Sequence, residues 1–233
     1  MTLTAALEKP DTEIPSRGLV DHAYRLIRQR IQDNIYPADY RGLEREFADD
    51  LQISRTPVRE ALQRLQVDGL VEIIPRHGAR ILPVSPEDMR EIYQMLMALE
   101  PMAAEMVARR GLSPEDLQPM VDASKDMTTA LRSNDLDAWA RADDRFHRYL
   151  IELSGNRLLV ETVQRFWDKA HRARMVTMCL RPKPTNSTRE HIAIVDAIRN
   201  GDAVLAASLF RAHRERGSTE LMSILQKAKL NSL

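Results

Sequence analysis

Residues 53–65 read ISRTPVREALQRL, and this stretch decides the fold of the first third of the chain. Ser54 can cap a helix, and Pro57 is tolerated in a first helical turn. Apolar residues then recur at the 3-4-3 spacing of a single buried helical face, at Val58, Ala61, Leu62 and Leu65. The pattern predicts an amphipathic helix with one side committed to a core.

The polar residues of this helix gather at its N-terminal end. Arg55, Thr56 and Arg59 fall off the apolar face, so we expect them to be exposed. That end carries the positive pole of the helix dipole, where arginine is locally unfavourable. The pattern therefore indicates an anionic partner at the start of the helix.

The flanking segments complete a small domain. Helical patterns cover about 19–31 and 43–51, and the second is joined to the opening helix by a short turn. Beyond Gly69, the runs LVEII and ARILPV flank the turn-rich PRHG and predict a hairpin. Three helices followed by a two-stranded hairpin make a winged helix-turn-helix, expected at 17–84 after a flexible tail at 1–16.

In a helix-turn-helix, the second helix of the motif enters the major groove of DNA, with its N-terminal residues against bases and phosphates. The start of the helix offers arginines for guanine or phosphate and hydroxyls for a phosphate oxygen: Arg55, Arg59, Ser54 and Thr56. At the wing tip, Arg76 or His77 can reach a neighbouring groove, and Gly78 permits close approach. A solvated helix start or a protein-binding winged helix is the alternative.

Charge and composition leave the partner open. The chain has 34 Lys+Arg and 34 Asp+Glu, and residues 17–84 contain eleven arginines, no lysine and ten acidic residues. Anion recognition must therefore depend on where the arginines lie. The sequence has no secretory signal, no apolar run that spans a bilayer and one cysteine, Cys179, so we expect a cytoplasmic protein without a membrane partner.

Residues 85–233 predict an all-α antiparallel bundle of six to seven helices. SPED at Ser85 and at Ser113 supplies a capping serine, a first-turn proline and acids. Ser187 with Glu190 predicts a capping box. Glycines typical of helix ends are Gly111, Gly155 and Gly201. The expected helices, the first with a possible break near Pro101, cover 86–110, 114–132, 136–154, 157–179, 188–199 and 203–227.

Four polar residues interrupt the apolar faces of these helices. Asp143 and His147 lie four residues apart and share an inner face, while His191 and His213 lie on the apolar faces of two later helices. Burying such groups is costly unless they are paired or bind a metal. One Zn, Ni, Mn or Fe ion would satisfy all four and leave positions open for a ligand. The alternatives are separate hydrogen-bonded core histidines, and Asp144 as the carboxylate.

The segment SRTPVREALQRLQVDGLVEIIPRHGARI resembles the signature of GntR-type bacterial transcription regulators, and the resemblance covers residues 19–84. One departure is PADYRGLERE, where the family usually has a Pro-Gly turn before the second helix. The resemblance implies contacts with operator DNA from Arg45, Ser54, Arg55, Thr56, Arg59, His77 and Gly78.

The segments DDRFH, EHIAIVDAIRNGD and AHRER resemble the FCD effector domain of the FadR subfamily, over residues 86–225. The resemblance implies an effector-binding and dimerisation domain, expected at 85–233, that binds a small carboxylate against a metal. Its implied ligands are Asp143, His147, His191 and His213. Family members often place a cavity arginine four residues before a glutamate of the first helix. Leu96 stands there, before Glu100, so Arg174 becomes the candidate for the carboxylate, with an ordinary surface arginine as the alternative. His171 is expected at the surface or beside the ligands.

Together these features predict a homodimeric, ligand-responsive regulator on a palindromic double-stranded operator, with two recognition helices about one helical turn of DNA apart. Two alternatives stay open. The metal itself could be the signal, or the metal could activate water in a hydrolase. No general base or nucleophile stands out in the sequence for the second alternative.

Overall fold

The computed structural model describes residues 16–177 and 180–228. The predicted tail before Ser16 and the single cysteine, Cys179, lie outside these residues. The described chain divides into two compact units, one formed by 16–31 and 39–82, the other by 32–38, 83–177 and 180–228. No helix in the described chain is long and apolar enough to cross a membrane.

The first unit is a winged helix-turn-helix, as predicted. Its elements are α1 (Ser16–Gln32), β1 (Arg41–Gly42), α2 (Glu44–Leu51), α3 (Arg55–Val67), β2 (Val71–Ile74) and β3 (Gly78–Ile81). The apolar faces of the helices meet in a core that includes Ala23, Ile27, Phe47, Val58, Leu62 and Leu65. This packing fixes the buried side of α3 and leaves its polar residues outside.

The sheet of this unit contains one more strand than the predicted hairpin. β1 pairs with β3 in antiparallel register, with Arg41 opposite Arg80 and Gly42 opposite Ala79. β3 also pairs with β2, so the strand order is β1-β3-β2. β1 lies within PADYRGLERE, and two residues are too few to show the alternation that predicts a strand.

The second unit consists of α4 (Pro86–Arg109), α5 (Pro114–Ser133), α6 (Leu136–Leu153), α7 (Arg157–Thr177), α8 (Thr185–Arg199) and α9 (Ala203–Ala228). The all-α prediction is confirmed for the described part of this unit, which contains no strand. α4 packs mainly along α9, α5 along α6, and α8 against both α5 and α9. The core they enclose includes Met89, Leu96, Met120, Phe146, Leu150 and Phe210.

The two SPED segments cap their helices as predicted. The Ser85 side chain accepts a hydrogen bond from the Asp88 amide, and the Asp88 carboxylate accepts one from the Ser85 amide at 2.9 Å. Ser113 and Asp116 form the same reciprocal pair. Each pair satisfies backbone donors that a helix start leaves without partners.

Two predictions for this unit are wrong. α4 continues without a break through Pro101, which is buried inside the helix. α8 begins at Thr185, before the predicted cap, so Ser187 lies in its first turn. The Ser187 hydroxyl accepts a hydrogen bond from Arg216, and Glu190 binds Arg216 and His213 of α9. Partners on another helix have replaced the local capping interaction.

Candidate metal centre and nucleic-acid interface

The N-terminal end of α3 presents an exposed polar surface. Ser54 occupies the N-cap position with extended backbone, but its side chain makes no capping hydrogen bond. Arg55, Thr56 and Arg59 are exposed, and so is Arg45 on the preceding helix. The structure thus exposes the predicted arginines and hydroxyls of α3 at the N-terminal end of that helix, and exposes Arg45 on α2.

Arg59 already has an anionic partner in the free protein. Its Nε atom donates to both carboxylate oxygens of Glu44, at 3.0 and 3.1 Å. The arginine side chain is still 56% exposed, so the pair is a surface interaction of low strength. A phosphate or base that binds Arg59 would compete with Glu44.

The wing tip owes its shape to positive φ angles. Arg76 has φ +65° and Gly78 has φ +81°, while the His77 amide donates to the Ile74 carbonyl at 2.9 Å and the His77 ring is exposed. A Cβ atom at Gly78 would lie 2.7 Å from Cα of Leu43 and would collide with the carbonyl oxygen of Gly42. The close approach expected at Gly78 is therefore made within the sheet, which requires glycine whatever binds the wing.

Three buried histidines meet at the centre of the helical unit. His147 of α6, His191 of α8 and His213 of α9 each place a ring nitrogen within 4.8 Å of the others. Asp143 lies one turn before His147, and its Oδ1 atom is 3.8 Å from His147 Nε2 and 3.7 Å from His191 Nε2. All four residues are at most 5% exposed, and the structure gathers every predicted ligand in one place.

The donor set of this cluster fits a divalent metal. In the described chain, Nε2 of His147 and both ring nitrogens of His191 are buried without a hydrogen-bond partner. Burial lowers the pKa of His191 well below its usual value and that of His213 to about 4, so both rings are neutral at pH 7. Neutral imidazoles with unshared lone pairs are what a metal needs, and a bound ion would offer an anionic ligand a Lewis-acidic centre.

Two carboxylates behind the cluster orient its rings. Glu190 Oε2 is 2.8 Å from Nδ1 of His213, and Glu100 Oε1 is 3.4 Å from Nδ1 of His147. Burial raises the pKa of Glu100, but the charges and hydrogen bonds of Arg214 and His147 together outweigh it and lower the pKa to about 2. Glu190 accepts the Nδ1 proton of His213 and keeps Nε2 of that ring available as a ligand atom, which is the usual outer arrangement of metal sites. Nδ1 of His147 also lies 3.0 Å from Nη2 of Arg214, which can only donate a hydrogen bond to it.

Arg174 bridges the two aspartates that are candidates for the metal-binding carboxylate. It forms ion pairs with both Asp143 and Asp144, and its side chain is only 11% exposed. Asp144 also contacts Nδ1 of His171 at 2.5 Å. Burial raises the pKa of Asp144, but the charges and hydrogen bonds of Arg174 and His171 together outweigh it and lower the pKa. Since Asp144 is held by His171 and Arg174, the geometry favours Asp143 as the carboxylate nearest the histidines.

A cavity of about 310 Å³ opens beside the cluster. Asp143, His147 and His213 form part of its wall, while Leu96 is fully buried in the core and does not line it. The cationic side chains of the wall are Arg174, Arg181, Lys183, Arg214 and Arg216. Sequence reasoning identified only the first of these. Arg214 and Arg216 of α9 closely follow His213 in AHRER, and their charge next to a buried histidine was the available signal in the sequence.

The second unit and the first each match a known protein family. The model of the FCD domain matches residues 91–216, and that of the gntR family of bacterial regulatory proteins matches residues 19–81. An uncharacterized HTH-type transcriptional regulator in the TAR-I ttuE-ttuC' intergenic region of Agrobacterium vitis is 44% identical over 140 residues, which cover 59% of this chain and 82% of that relative.

Solved structures share the fold. E. coli McbR/YncC superposes with a TM-score of 0.78 at 18% identity, over 88% of this chain and 97% of that one. The metal-free FCD domain of TM0439 gives a TM-score of 0.52 at 21% identity, over 61% and 97%. The two family matches and the relative from Agrobacterium vitis show that the chain belongs to the GntR family of transcription regulators and carries an FCD domain.

Proposed function

We propose that this regulator binds a palindromic operator as a homodimer and responds to a small organic acid held beside a metal, as in the FadR subfamily. Residues 17–84 bind DNA, and residues 85–233 bind the effector and form the dimer. The observation that carries the proposal is a buried three-histidine cluster that borders a cavity with a cationic wall.

The DNA-binding half rests on the exposed end of α3 and on the wing. The contacting residues are Arg45, Ser54, Arg55, Thr56, Arg59, His77 and Gly78. The unit is close to neutral, so the arginines must supply specificity as well as affinity, through forked hydrogen bonds to guanine or phosphate. Release of Arg59 from Glu44 is part of binding.

The effector half rests on the cluster and its surroundings. Asp143, His147, His191 and His213 hold a divalent ion (Zn, Ni, Mn or Fe). Glu190 fixes the second nitrogen of His213, Glu100 lies beside that of His147, and Arg174 pairs with the second oxygen of Asp143. The cationic wall then attracts a carboxylate, which Arg174 can meet through its Nε atom, because this atom is buried without a partner in the described chain.

The DNA-binding half is tested with DNA selected by the wild-type protein from a random pool. Arg55→Ala and Arg59→Ala should each weaken binding to the selected sequence about tenfold or more, because each removes contacts to bases or phosphates. Arg64→Ala is the matched control, since this exposed arginine lies in the last turn of the same helix. Equal affinity of all three variants would contradict the assignment of the recognition surface.

The effector half is tested by metal analysis and operator binding. His147→Ala and His213→Ala should each lower the metal content of the purified protein, whereas His22→Ala, at an exposed position of α1, should not. Organic acids should alter operator binding only when metal is present. If chelator alone abolished operator binding and no acid changed it, the metal would be the signal instead.

A further inference from the structure

Among the described residues, Arg181 is the one arginine of the cavity wall that no ion pair links to a carboxylate. Its Nε atom donates to the buried hydroxyl of Thr177 at 3.1 Å, which anchors the guanidinium. Its Nη2 atom is buried and has no hydrogen-bond partner in the described chain. Guanidinium keeps its protons at all physiological pH values, so this donor needs an acceptor, which a bound ligand can supply.

The other three arginines of the wall are neutralised within the protein. Arg214 forms an ion pair with Glu100, and Arg216 pairs with Glu190 and Glu220. Arg174 lies between two aspartates. Positive charge in excess therefore remains at Arg181, close to the exposed Lys183.

The excess charge and the histidine cluster belong to different parts of the wall. Arg174 contacts Asp143 of the cluster, whereas Arg181 is held at Thr177, one helical turn further along α7. One helical turn corresponds to about 5 Å. The cavity is at the small end of the size range of ligand pockets, which begins at about 300 Å³. A short ligand with an anionic group at each end matches this arrangement.

We infer that the effector is a short dicarboxylate, with one carboxylate beside the histidine cluster and the other paired with Arg181. This inference rests on the proposed organic-acid site and specifies its ligand class. Arg181 acts as a specificity residue, because a monocarboxylate would leave its Nη2 donor without a partner. A carboxylate suits this position, since it can accept two parallel hydrogen bonds from one guanidinium.

The test compares succinate with butyrate, which have four carbons each and differ by the second carboxylate. Calorimetric titration of the metal-loaded full chain should show about tenfold tighter binding of succinate, the effect of one charge-assisted hydrogen bond. Arg181→Gln should remove this preference, mainly by weakening succinate binding, while the metal content stays unchanged. Arg189→Gln, at an exposed arginine outside the cavity, should keep the preference.

The outcomes separate this inference from the function on which it rests. Equal affinity of the wild type for the two acids, or a preference that survives in Arg181→Gln, would overturn the role of Arg181 and leave the organic-acid site standing. If the metal-loaded protein bound none of succinate, butyrate, malonate and glutarate, both the dicarboxylate inference and the proposed organic-acid site would be overturned.

Discussion

At the scale of single residues, Glu190 shows how one carboxylate can organise the candidate metal centre. It lies between His213 and Arg216, and contacts both at 2.6–2.8 Å. Burial alone would raise its pKa, but the hydrogen bonds from these two residues lower it to about 2. Glu190 is therefore ionised at neutral pH and holds the Nδ1 proton of His213, which directs the other ring nitrogen to the cluster.

Glu190→Gln should weaken metal binding about 10- to 100-fold, because the amide holds the ring of His213 less firmly than the carboxylate does. Titration of the metal-free protein against a competing chelator measures this change. Glu220→Gln is the matched control, since Glu220 also pairs with Arg216 but has no contact with His213 among those found in the described chain. A similar loss in both variants would show that Arg216, rather than the orientation of His213, is responsible.

The residues of this site differ in how well the sequence predicts them. Asp143 and His147 are four residues apart on an apolar helical face, so their meeting follows from helix geometry. The gathering of His191 and His213 with them depends on how three helices pack, and the sequence indicates it only through polar residues on apolar faces and the resemblance to the FCD domain. Arg181 gave no signal at all, because an arginine in a connection between helices is usually solvated.

At the scale of elements, the short strand β1 explains why residue 78 is a glycine, a residue that the sequence assigns to a contact with DNA. Gly78 begins β3 at a positive φ and lies against the backbone that follows β1. The third strand therefore restricts this position to glycine before any ligand is considered. A periodicity-based prediction could not find β1, but the glycine in PRHG was visible as a position of special backbone geometry.

Gly78→Ala should loosen the wing, since the added methyl group combines an unfavourable φ with a collision against the backbone near Gly42. We expect a loss of about 2 kcal/mol or more in the local stability of β2 and β3. Gly111→Ala is the control, because its φ is +57° but nothing lies within 4 Å of its Cβ position, so roughly 1 kcal/mol is expected. Amide hydrogen exchange of the strands measures the first effect, and equal exchange in Gly78→Ala and the wild type would contradict it.

Helix boundaries were predictable where the signal was local. At Ser85 and Ser113 the serine, proline and acids act within four residues, and the structure keeps both caps. Ser187 and Glu190 carry the same local signal, yet the arginine and histidine of α9 bind them instead. Pro101 shows the same limit, because packing of α4 along α9 holds together a helix that has lost one backbone hydrogen bond.

At the scale of the whole molecule, the helical unit contains many buried polar and charged side chains at its centre. Glu100, Asp143 and Arg214 are all less than 7% exposed, as are the three histidines. The ion pairs satisfy the charged groups, but the unpartnered ring nitrogens remain costly. A metal that binds only the folded unit would remove this cost, so its affinity should appear directly as added stability.

The metal-free protein should lose stability as the pH falls from about 6.5 to 4. The folded state lowers the pKa of His213 to about 4, chiefly by burial, and lowers that of His191 as well. Between these values and the ordinary pKa of 6.5, the unfolded chain binds more protons than the folded one, so a fall in pH favours unfolding. The shift of His213 corresponds to about 3 kcal/mol when the transition is complete.

Denaturant titrations of chelator-treated protein between pH 8 and pH 5 measure the slope of the free energy of unfolding against pH. His213→Gln should flatten it, whereas His22→Gln, at an exposed site in the first unit, should leave it unchanged. The carboxylates Glu100 and Glu190, with pKa values of about 2, add their own loss only below about pH 4.5, outside this range. A wild-type slope no steeper than that of His213→Gln would show that the buried histidine does not control the acid stability of the unit.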